Sequence, residues 1–276
     1  MDDRPLVIYH ANCMDGLVAA WAVKMALGEV ETLAADYGDA PPDVRGRRVI
    51  IVDFSYPRET LEKMFIDAAS LIVLDHHKTA AEALAGLPYA VFDMTRSGAS
   101  LAWDHFFLTA PRPWIIDYVE DRDLWRWALP HSKEINAYLS VIPKTMGMID
   151  RIARGKSADL IALGETVLLA QRVYLDETKR QARMGVLKGH TSPFVPIVNA
   201  GRYCHSELIG ELAEGHPFAV GWCQLADGEF LYSLRSRDGG EDVSAIAKKL
   251  GGGGHRNAAR FKSKSIAHLF PESPRT

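Results

Sequence analysis

The chain is poor in cysteine, with three in 276 residues. That number builds no disulfide framework and points to a reducing compartment. Long apolar runs are also missing. Stretches such as Leu71-Ile72-Val73-Leu74 fall far short of the roughly 18 residues that a membrane-spanning helix needs. The opening Met1-Asp2-Asp3-Arg4-Pro5 has neither the basic start nor the apolar stretch of a secretory signal. A cytoplasmic location without membrane attachment is the expectation. There is no internal repeat, which excludes a solenoid or propeller, and no low-complexity tract beyond Gly251-Gly252-Gly253-Gly254. A large excess of one charge sign is lacking as well. The net charge is −3, with 47% hydrophobic and 24% charged residues, an ordinary globular mixture that excludes disorder and coiled coil.

What is present divides unevenly. Residues 1–150 hold 14 Lys/Arg against 22 Asp/Glu, a net of −8, and the remainder holds 18 against 13, a net of +5. An acidic half suits hard metal ions and a basic half suits phosphates, although uneven surface charge gives the same counts. Leu6–Tyr9, Val49–Val52 and Leu71–Leu74 are short continuous apolar runs, each followed by a helical stretch such as Met14–Leu27. Continuous runs of this kind read as parallel strands buried on both faces. The expected fold is α/β, with an N-terminal, mainly parallel, doubly wound sheet carrying helices on both faces. Ser97–Leu108 and Pro113–Trp127 read as amphipathic helices. Ser157–Lys188 reads as a long helical connection. Phe194–Asn199, Phe218–Leu225, Phe230–Arg235 and Ala258–Phe261 read as strands, the middle two joined through Asp227-Gly228. Ser206–Ala213 and Val243–Leu250 read as helices. The implied division is a metal-binding catalytic domain over 1–155, a helical linker over 156–190 and a smaller α/β domain over 191–276.

Ionisable groups fall at the carboxyl ends of the expected strands, where open α/β sheets bind their ligands. His10-Ala11-Asn12-Cys13-Met14-Asp15 follows the first strand. Asp53 follows the second. Asp75-His76-His77 follows the third. Asp117, Glu120, Asp121 and Asp123 form a further acidic string. A single Asp after a strand is most often a cap or turn residue. Several at one edge, one of them beside two imidazoles, fit ligands for divalent metals better. Paired metals sharing a bridging carboxylate are the arrangement that serves phosphoester hydrolysis.

The far end supplies a complement. Gly252, Gly253 and Gly254 let successive backbone N–H groups approach an anion, and His255 follows them directly. Arg235 can grip a phosphate through two parallel hydrogen bonds. A run of glycines by itself is a flexible loop as readily as a cradle.

Together, Asp75-His76-His77 and Gly251-Gly252-Gly253-Gly254-His255 resemble the DHH phosphoesterases that carry a DHH-associated C-terminal domain. That family includes nanoRNases (oligoribonucleases), RecJ-type single-strand exonucleases and cyclic-dinucleotide phosphodiesterases. The resemblance spans about Leu6 to Phe261. It implies a phosphoesterase with two Mn2+ ions and a cleft between two α/β domains. It assigns His10 to the first metal, Asp15 and His76 to the second, and Asp53 as the bridge. It places His77 against the scissile phosphate, with Asp75 orienting an imidazole. It assigns the fourth-motif ligand to Asp121, with Asp123 and Asp117 in reserve. Arg235, Gly252, Gly253, Gly254 and His255 become substrate-binding residues.

Two positions depart from the family pattern. Arg260 stands where the family often has glycine, adding a positive charge. Cys13 stands where the family usually has aspartate. Three readings of it are open. Cys13 ligates the first metal and turns preference toward a softer ion, it lies close without ligating, or Asn12 supplies an oxygen instead. The other cysteines, Cys204 and Cys223, read as structural.

The expected substrate is short single-stranded RNA or DNA, or a dinucleotide. No additional domain for long tracks is evident, and a homodimer is compatible with the chain. Trp125 and Trp127 are stacking candidates, with core roles as the alternative. Competing readings are hydrolysis of pyrophosphate or polyphosphate, dephosphorylation of a 3′,5′-bisphosphonucleotide and cleavage of cyclic dinucleotides. The non-enzymatic competitor is a degenerate nucleotide-binding protein.

Overall fold

A computed structural model describes residues 3–187 and 194–266. The chain divides into two compact units, Met1–Leu169 and Ala170–Thr276. The ends of the expected 156–190 linker and 191–276 domain include positions outside the described residues.

The first unit is built on five strands: β1 (Leu6–His10), β2 (Glu31–Ala35), β3 (Arg48–Val52), β4 (Ser70–Asp75) and β5 (Ala90–Phe92). All pair in parallel, in the order β2-β1-β3-β4-β5. The apolar runs are continuous because both faces of the sheet are covered. Leu6, Ile8, Val49, Ile51, Leu71 and Val73 enter one core. Val7, Ile50, Val52 and Leu74 enter the other. This is the period-two alternation of a strand, with both phases apolar.

The helices are α1 (Met14–Leu27), α2 (Arg58–Asp67), α3 (Lys78–Ala83), α4 (Gly98–Phe107), α5 (Trp114–Asp123), α6 (Ser132–Val141) and α7 (Met146–Arg154), then α8 (Ile161–Lys179), which runs across the division between the units. Helix α1 is buried from Asp15 to Val23. Its small Ala19, Ala20 and Ala22 let neighbours approach closely, and α4 lies against it.

The second unit has a six-stranded sheet of β6 (Arg183–Gly185), β7 (Val195–Asn199), β8 (Ala219–Gln224), β9 (Phe230–Arg235), β10 (Gly253–His255) and β11 (Ala258–Ser263). Its order is β10-β11-β9-β8-β7-β6, mixed, with only the β7–β8 pair parallel. Helices α9 (His205–Leu212) and α10 (Val243–Lys249) complete it. The expected α/β class thus holds in both units. No helix among the described residues is long and apolar enough to cross a membrane.

The glycine run differs from a free loop. Gly253–His255 forms a strand paired antiparallel with β11. A Cβ on Gly252 would lie 2.0 Å from the Arg260 carbonyl oxygen, and one on Gly254 would lie 2.5 Å from that of Ala258. Gly254 also has φ +140, so these glycines are required for packing and backbone conformation.

Candidate metal centre

In the strand order β2-β1-β3-β4-β5, β1 and β3 are neighbours whose next strands lie on opposite sides, the point at whose carboxyl ends open α/β sheets bind ligands. His10 is the last residue of β1, and Asp53 directly follows β3. Asp75 is the last residue of β4, with His76 and His77 behind it. Asp15 sits in the first turn of α1. Asp53 has φ 54 and Asn12 has φ 58, left-handed values that cost a non-glycine residue about 1–3 kcal/mol and concentrate at functional sites.

These side chains converge. His76 Nε2 lies 3.0 Å from Asp53 Oδ1, 3.6 Å from Asp15 Oδ2 and 3.4 Å from Asp123 Oδ2. His10 Nδ1 lies 3.6 Å from Asp53 Oδ2, and its Nε2 lies 3.9 Å from Asp36 Oδ1. Ligand atoms of Asp15, Asp53 and His76 fall within 4.8 Å of one another, and so do those of His10, Cys13 and Asp53. Asp53 belongs to both groups, and to a third with Asp75 and His77.

Asp75 has a different job. It accepts from His77 Nδ1 at 2.7 Å, from Ser55 Oγ at 2.6 Å and from the His76 backbone N–H at 2.7 Å. Those bonds hold His77 with its proton on Nδ1. Burial alone would raise the Asp75 carboxyl, yet the attraction and hydrogen bond of His77 hold it down at about 2.

Asp15 is fixed from outside the motifs. It accepts the backbone N–H groups of Gly98 and Ala99 at 2.6 and 3.0 Å, at the N-terminus of α4. A side chain at Gly98 would collide with Asp53, because its Cβ would lie 2.4 Å from the Asp53 Cβ.

The candidates of the fourth motif differ in what they touch. Asp121 does not join the cluster. Its carboxylate accepts from the Ala128 and Leu129 backbone N–H groups at 2.9 and 3.3 Å. Asp123 reaches His76 instead, because two positions along a helix turn a side chain by about 200°. Asp117 faces Arg112, at 3.7 Å.

The electrostatics are those of crowded carboxylates. Burial pushes the Asp15 carboxyl well up, and the charges of Asp53 and Asp123 push it further. Burial also raises Asp123, helped by Asp53. Burial works against charge on His76, but Asp123, Asp53 and Asp15 together raise it well above its ordinary value. Burial opposes ionisation of Asp53 too, but contacts with the His10 and His76 imidazoles hold it low. Burial pushes the Cys13 thiol up, and Asp53, Asp123 and Asp15 add to the shift. Both His10 ring nitrogens and Asp53 Oδ2 are buried without a hydrogen bond. Buried polar atoms are seldom left so. Oxygen and imidazole donors gathered around unsatisfied atoms suit a divalent metal ion.

The residues expected to hold substrate lie in the second unit. Arg235 donates to Ser206 Oγ and to the Leu234 carbonyl, both at 2.8 Å. Arg235, Arg202 and Arg260 all act on buried His205, whose pKa is lowered first by burial and then by these charges. His255 ends β10, opposite Ala258.

No family model matches the chain. Among characterised relatives, it is 26% identical to the oligoribonuclease NrnB of Bacillus subtilis over 91% of this chain and 71% of the relative. It is also 26% identical to the uncharacterised protein R106 of Acanthamoeba polyphaga mimivirus, over 98% of this chain and 70% of that one. In structure it matches the DHH domain of a protein described as a member of a ribosomal-protein family, with TM-score 0.56 and 13% identity, over 98% of this chain and 83% of that one. The chain has the fold of a DHH domain and resembles an oligoribonuclease in sequence. The DHH signature is then Asp75-His76-His77, at the end of β4, one strand from the junction of β1 and β3.

Several residues at this site escape a reading by motif. Gly98 and Ser55 carry no chemistry of their own and act through the carboxylates they touch. Tyr37, after β2, packs edge-on against His10 and His77, with ring centroids 5.7 and 6.0 Å away. Phe54 stacks on His10 at 6.3 Å.

Proposed function

We propose that this chain hydrolyses phosphodiester bonds in short oligonucleotides or dinucleotides, using two divalent metal ions in the first unit. The observation that carries the reading is that Asp53, a buried carboxylate, is common to three donor groups, with His10 and Cys13, with Asp15 and His76, and with Asp75 and His77. His10, Asp53 and a third donor from the Asn12-Cys13 segment would hold one ion. Asp15, Asp53, His76 and Asp123 would hold the other. The resemblance implies manganese. Bound there, divalent ions would supply Lewis acidity at a phosphoryl oxygen and bring the pKa of a water toward neutrality.

The remaining work falls to the chain's own groups. Asp75 keeps the His77 proton on Nδ1, so exchange of a proton with a substrate oxygen would fall to Nε2, which accepts a proton first and donates it afterwards. Gly98 and Ala99 hold Asp15 in place through two backbone N–H groups. Arg235 and His255, with Gly252, Gly253 and Gly254, are proposed to hold a phosphate that is not being cut. The arginines around His205 supply the charge for that task. The name of the Bacillus relative, an oligoribonuclease, supports short RNA as the substrate class.

The test is a manganese-supplemented screen of dinucleotides, short RNA, short DNA, cyclic dinucleotides, bisphosphonucleotides and pyrophosphate. Dinucleotides and short RNA should be cut fastest. Chelation should abolish turnover, and Asp53→Asn should lower it by at least about a hundredfold, more than loss of an outer-shell partner costs. Turnover that survives chelation, or is confined to pyrophosphate, overturns the reading.

A further inference from the structure

We infer that the Cys13 thiolate is a metal ligand, and that with His10 and Asp53 it makes one half of the centre a mixed sulfur, nitrogen and oxygen site that prefers zinc or cobalt to manganese. The inference rests on the metal-centre reading above and names the chemistry of one of its two halves.

Three observations carry it. First, Cys13 Sγ, one ligand atom of His10 and one of Asp53 all lie within 4.8 Å of one another. A single ion can reach all three after small side-chain movements, since metal–sulfur and metal–nitrogen bonds are about 2.3 and 2.0–2.1 Å for zinc. Second, His10 is 3% exposed and neither of its ring nitrogens has a hydrogen bond. Asp53 Oδ2 is likewise without one. Their nearest polar neighbours are one another and Asp36, at 3.6 and 3.9 Å, too far for a good hydrogen bond but spaced to share an ion. Third, Cys13 is the N-cap of α1, a position that favours Ser, Thr, Asp or Asn, and its thiol, a weak acceptor, has only the Gly16 backbone N–H to cap. Capping alone is served better by an oxygen side chain than by a thiol.

Asn12 fits the ligand role less well. Its backbone carbonyl is already engaged, accepting from Lys144 Nζ at 2.6 Å.

The consequence is selectivity. Thiolate is a soft ligand that favours zinc and cobalt, whereas manganese suits carboxylate and water. Binding breaks the S–H bond. Sulfur keeps the electron pair for the metal, and the proton leaves to solvent. The second half of the centre, with Asp15, Asp53, His76 and Asp123, offers only oxygen and imidazole. The two halves therefore differ in the ion they prefer.

The experiment is cobalt titration of the chelator-stripped, reduced full-length protein, followed by absorption spectroscopy. The wild type should show sulfur-to-cobalt charge-transfer absorption in the near ultraviolet. Cys13→Ser and Cys13→Asp should still bind cobalt but lack that absorption. Cys13→Asp should also lower the preference for zinc over manganese by about ten- to a hundredfold, measured by competition. Circular dichroism and thermal melting establish that both variants fold. As an independent measurement, zinc should protect Cys13 from alkylation, mapped by peptide mass, and leave Cys204 and Cys223 unprotected. Cobalt binding without charge-transfer absorption, or zinc that fails to protect Cys13, overturns the thiolate assignment and leaves the metal centre standing. No binding of cobalt, zinc or manganese by any variant overturns both.

Discussion

At the residue scale, the site depends on groups without reactivity. Gly98 is the clearest case. It gives its backbone N–H to Asp15 and leaves the space that Asp53 fills. Asp53 already holds a left-handed backbone, so it has little freedom to yield. Gly98→Ala should cost about 1–3 kcal/mol of stability, the usual range for forcing atoms into a packed core. It should also weaken metal binding at least about tenfold, because both carboxylates move. Gly147→Ala is the control, since a Cβ there meets nothing within 4 Å. Thermal melting with and without a chelator, together with metal calorimetry, separates the two effects. If Gly98→Ala behaves like Gly147→Ala in both, close packing at the centre does not depend on that glycine.

At the element scale, the end of α5 decides which aspartate does what. The sequence suggests a helix running to Trp127, and in that continuous helix nothing distinguishes Asp121 from its neighbours. The helix instead ends at Asp123, and Trp125 and Trp127 take φ 56 and 53. The chain folds back onto Asp121. Its carbonyl accepts from Arg126 N–H at 2.8 Å, and its carboxylate accepts from Ala128 and Leu129. Asp121 thus organises the turn and Asp123 faces the cluster. Two substitutions should part cleanly. Asp121→Ala leaves two backbone donors without an acceptor and should cost about 1–3 kcal/mol. That corresponds to roughly 2–4 °C of melting temperature per kcal/mol for a chain of this size. Asp123→Asn removes one of several crowded charges. It should leave the metal-free protein as stable as wild type or more so, while lowering metal affinity. Melting in chelator and calorimetry with metal test this. A stable Asp121→Ala that no longer binds metal would return the fourth motif to Asp121.

The same contrast explains what was legible in the sequence. Strands β1, β3 and β4 could be read because both faces are buried and the apolar runs are unbroken. Strand β2 could not. Glu-Thr-Leu-Ala-Ala lies at the sheet edge, with its inner residues exposed in alternation, and the run is too polar to stand out. Missing β2 hid Asp36 and Tyr37, which stand at its carboxyl end beside His10. His10, Asp15, Asp53, Asp75, His76 and His77 could be read because strand ends gather ligands and these residues are themselves reactive. Gly98 and Ser55 contribute shape and hydrogen bonds across long sequence separations, which no local pattern encodes. The role of Gly254 was concealed for a similar reason. A glycine run signals freedom in sequence, whereas here the adjacent strand leaves no room for a side chain.

At the scale of the whole molecule, the two units carry different charge and different buried histidines, so their stabilities should answer to different solution conditions. The first unit has a core on each face of its parallel sheet, and its carboxylates repel one another at the carboxyl edge. A divalent ion that binds the folded state stabilises it by RT ln(1 + [L]/Kd), about 2.7 kcal/mol at a hundredfold excess over Kd. The second unit has its own core, and His205 is buried there. His205 Nε2 donates to the Ala200 carbonyl at 2.8 Å, which leaves Nδ1 to accept from Ser233 Oγ at 3.2 Å. A neutral imidazole satisfies both bonds, whereas a protonated one leaves Nδ1–H facing a hydroxyl in a field of arginines. Burial first, and then the charges of Arg235, Arg202 and Arg260, place its folded pKa below the unfolded value of about 6.5, against the opposing Ala200 bond. The stability it contributes is present above that unfolded value and is lost as pH falls below it toward the folded one. Hydrogen exchange, corrected for the intrinsic rate, can follow the units separately. At about pH 7.5, near the upper side of the histidine range, added zinc or manganese should slow exchange in β1, β3 and β4 and leave β7, β8 and β9 unchanged. In chelator, lowering the pH to about 5.5, well below the free-histidine value, should speed exchange in β7, β8 and β9. His205→Gln, which keeps a donor but cannot take up a proton, should remove that acid sensitivity. Equal acid sensitivity in wild type and His205→Gln would mean that another group governs the second unit, and metal protection of all six strands alike would mean that the ion does not act through the β1–β3 edge alone.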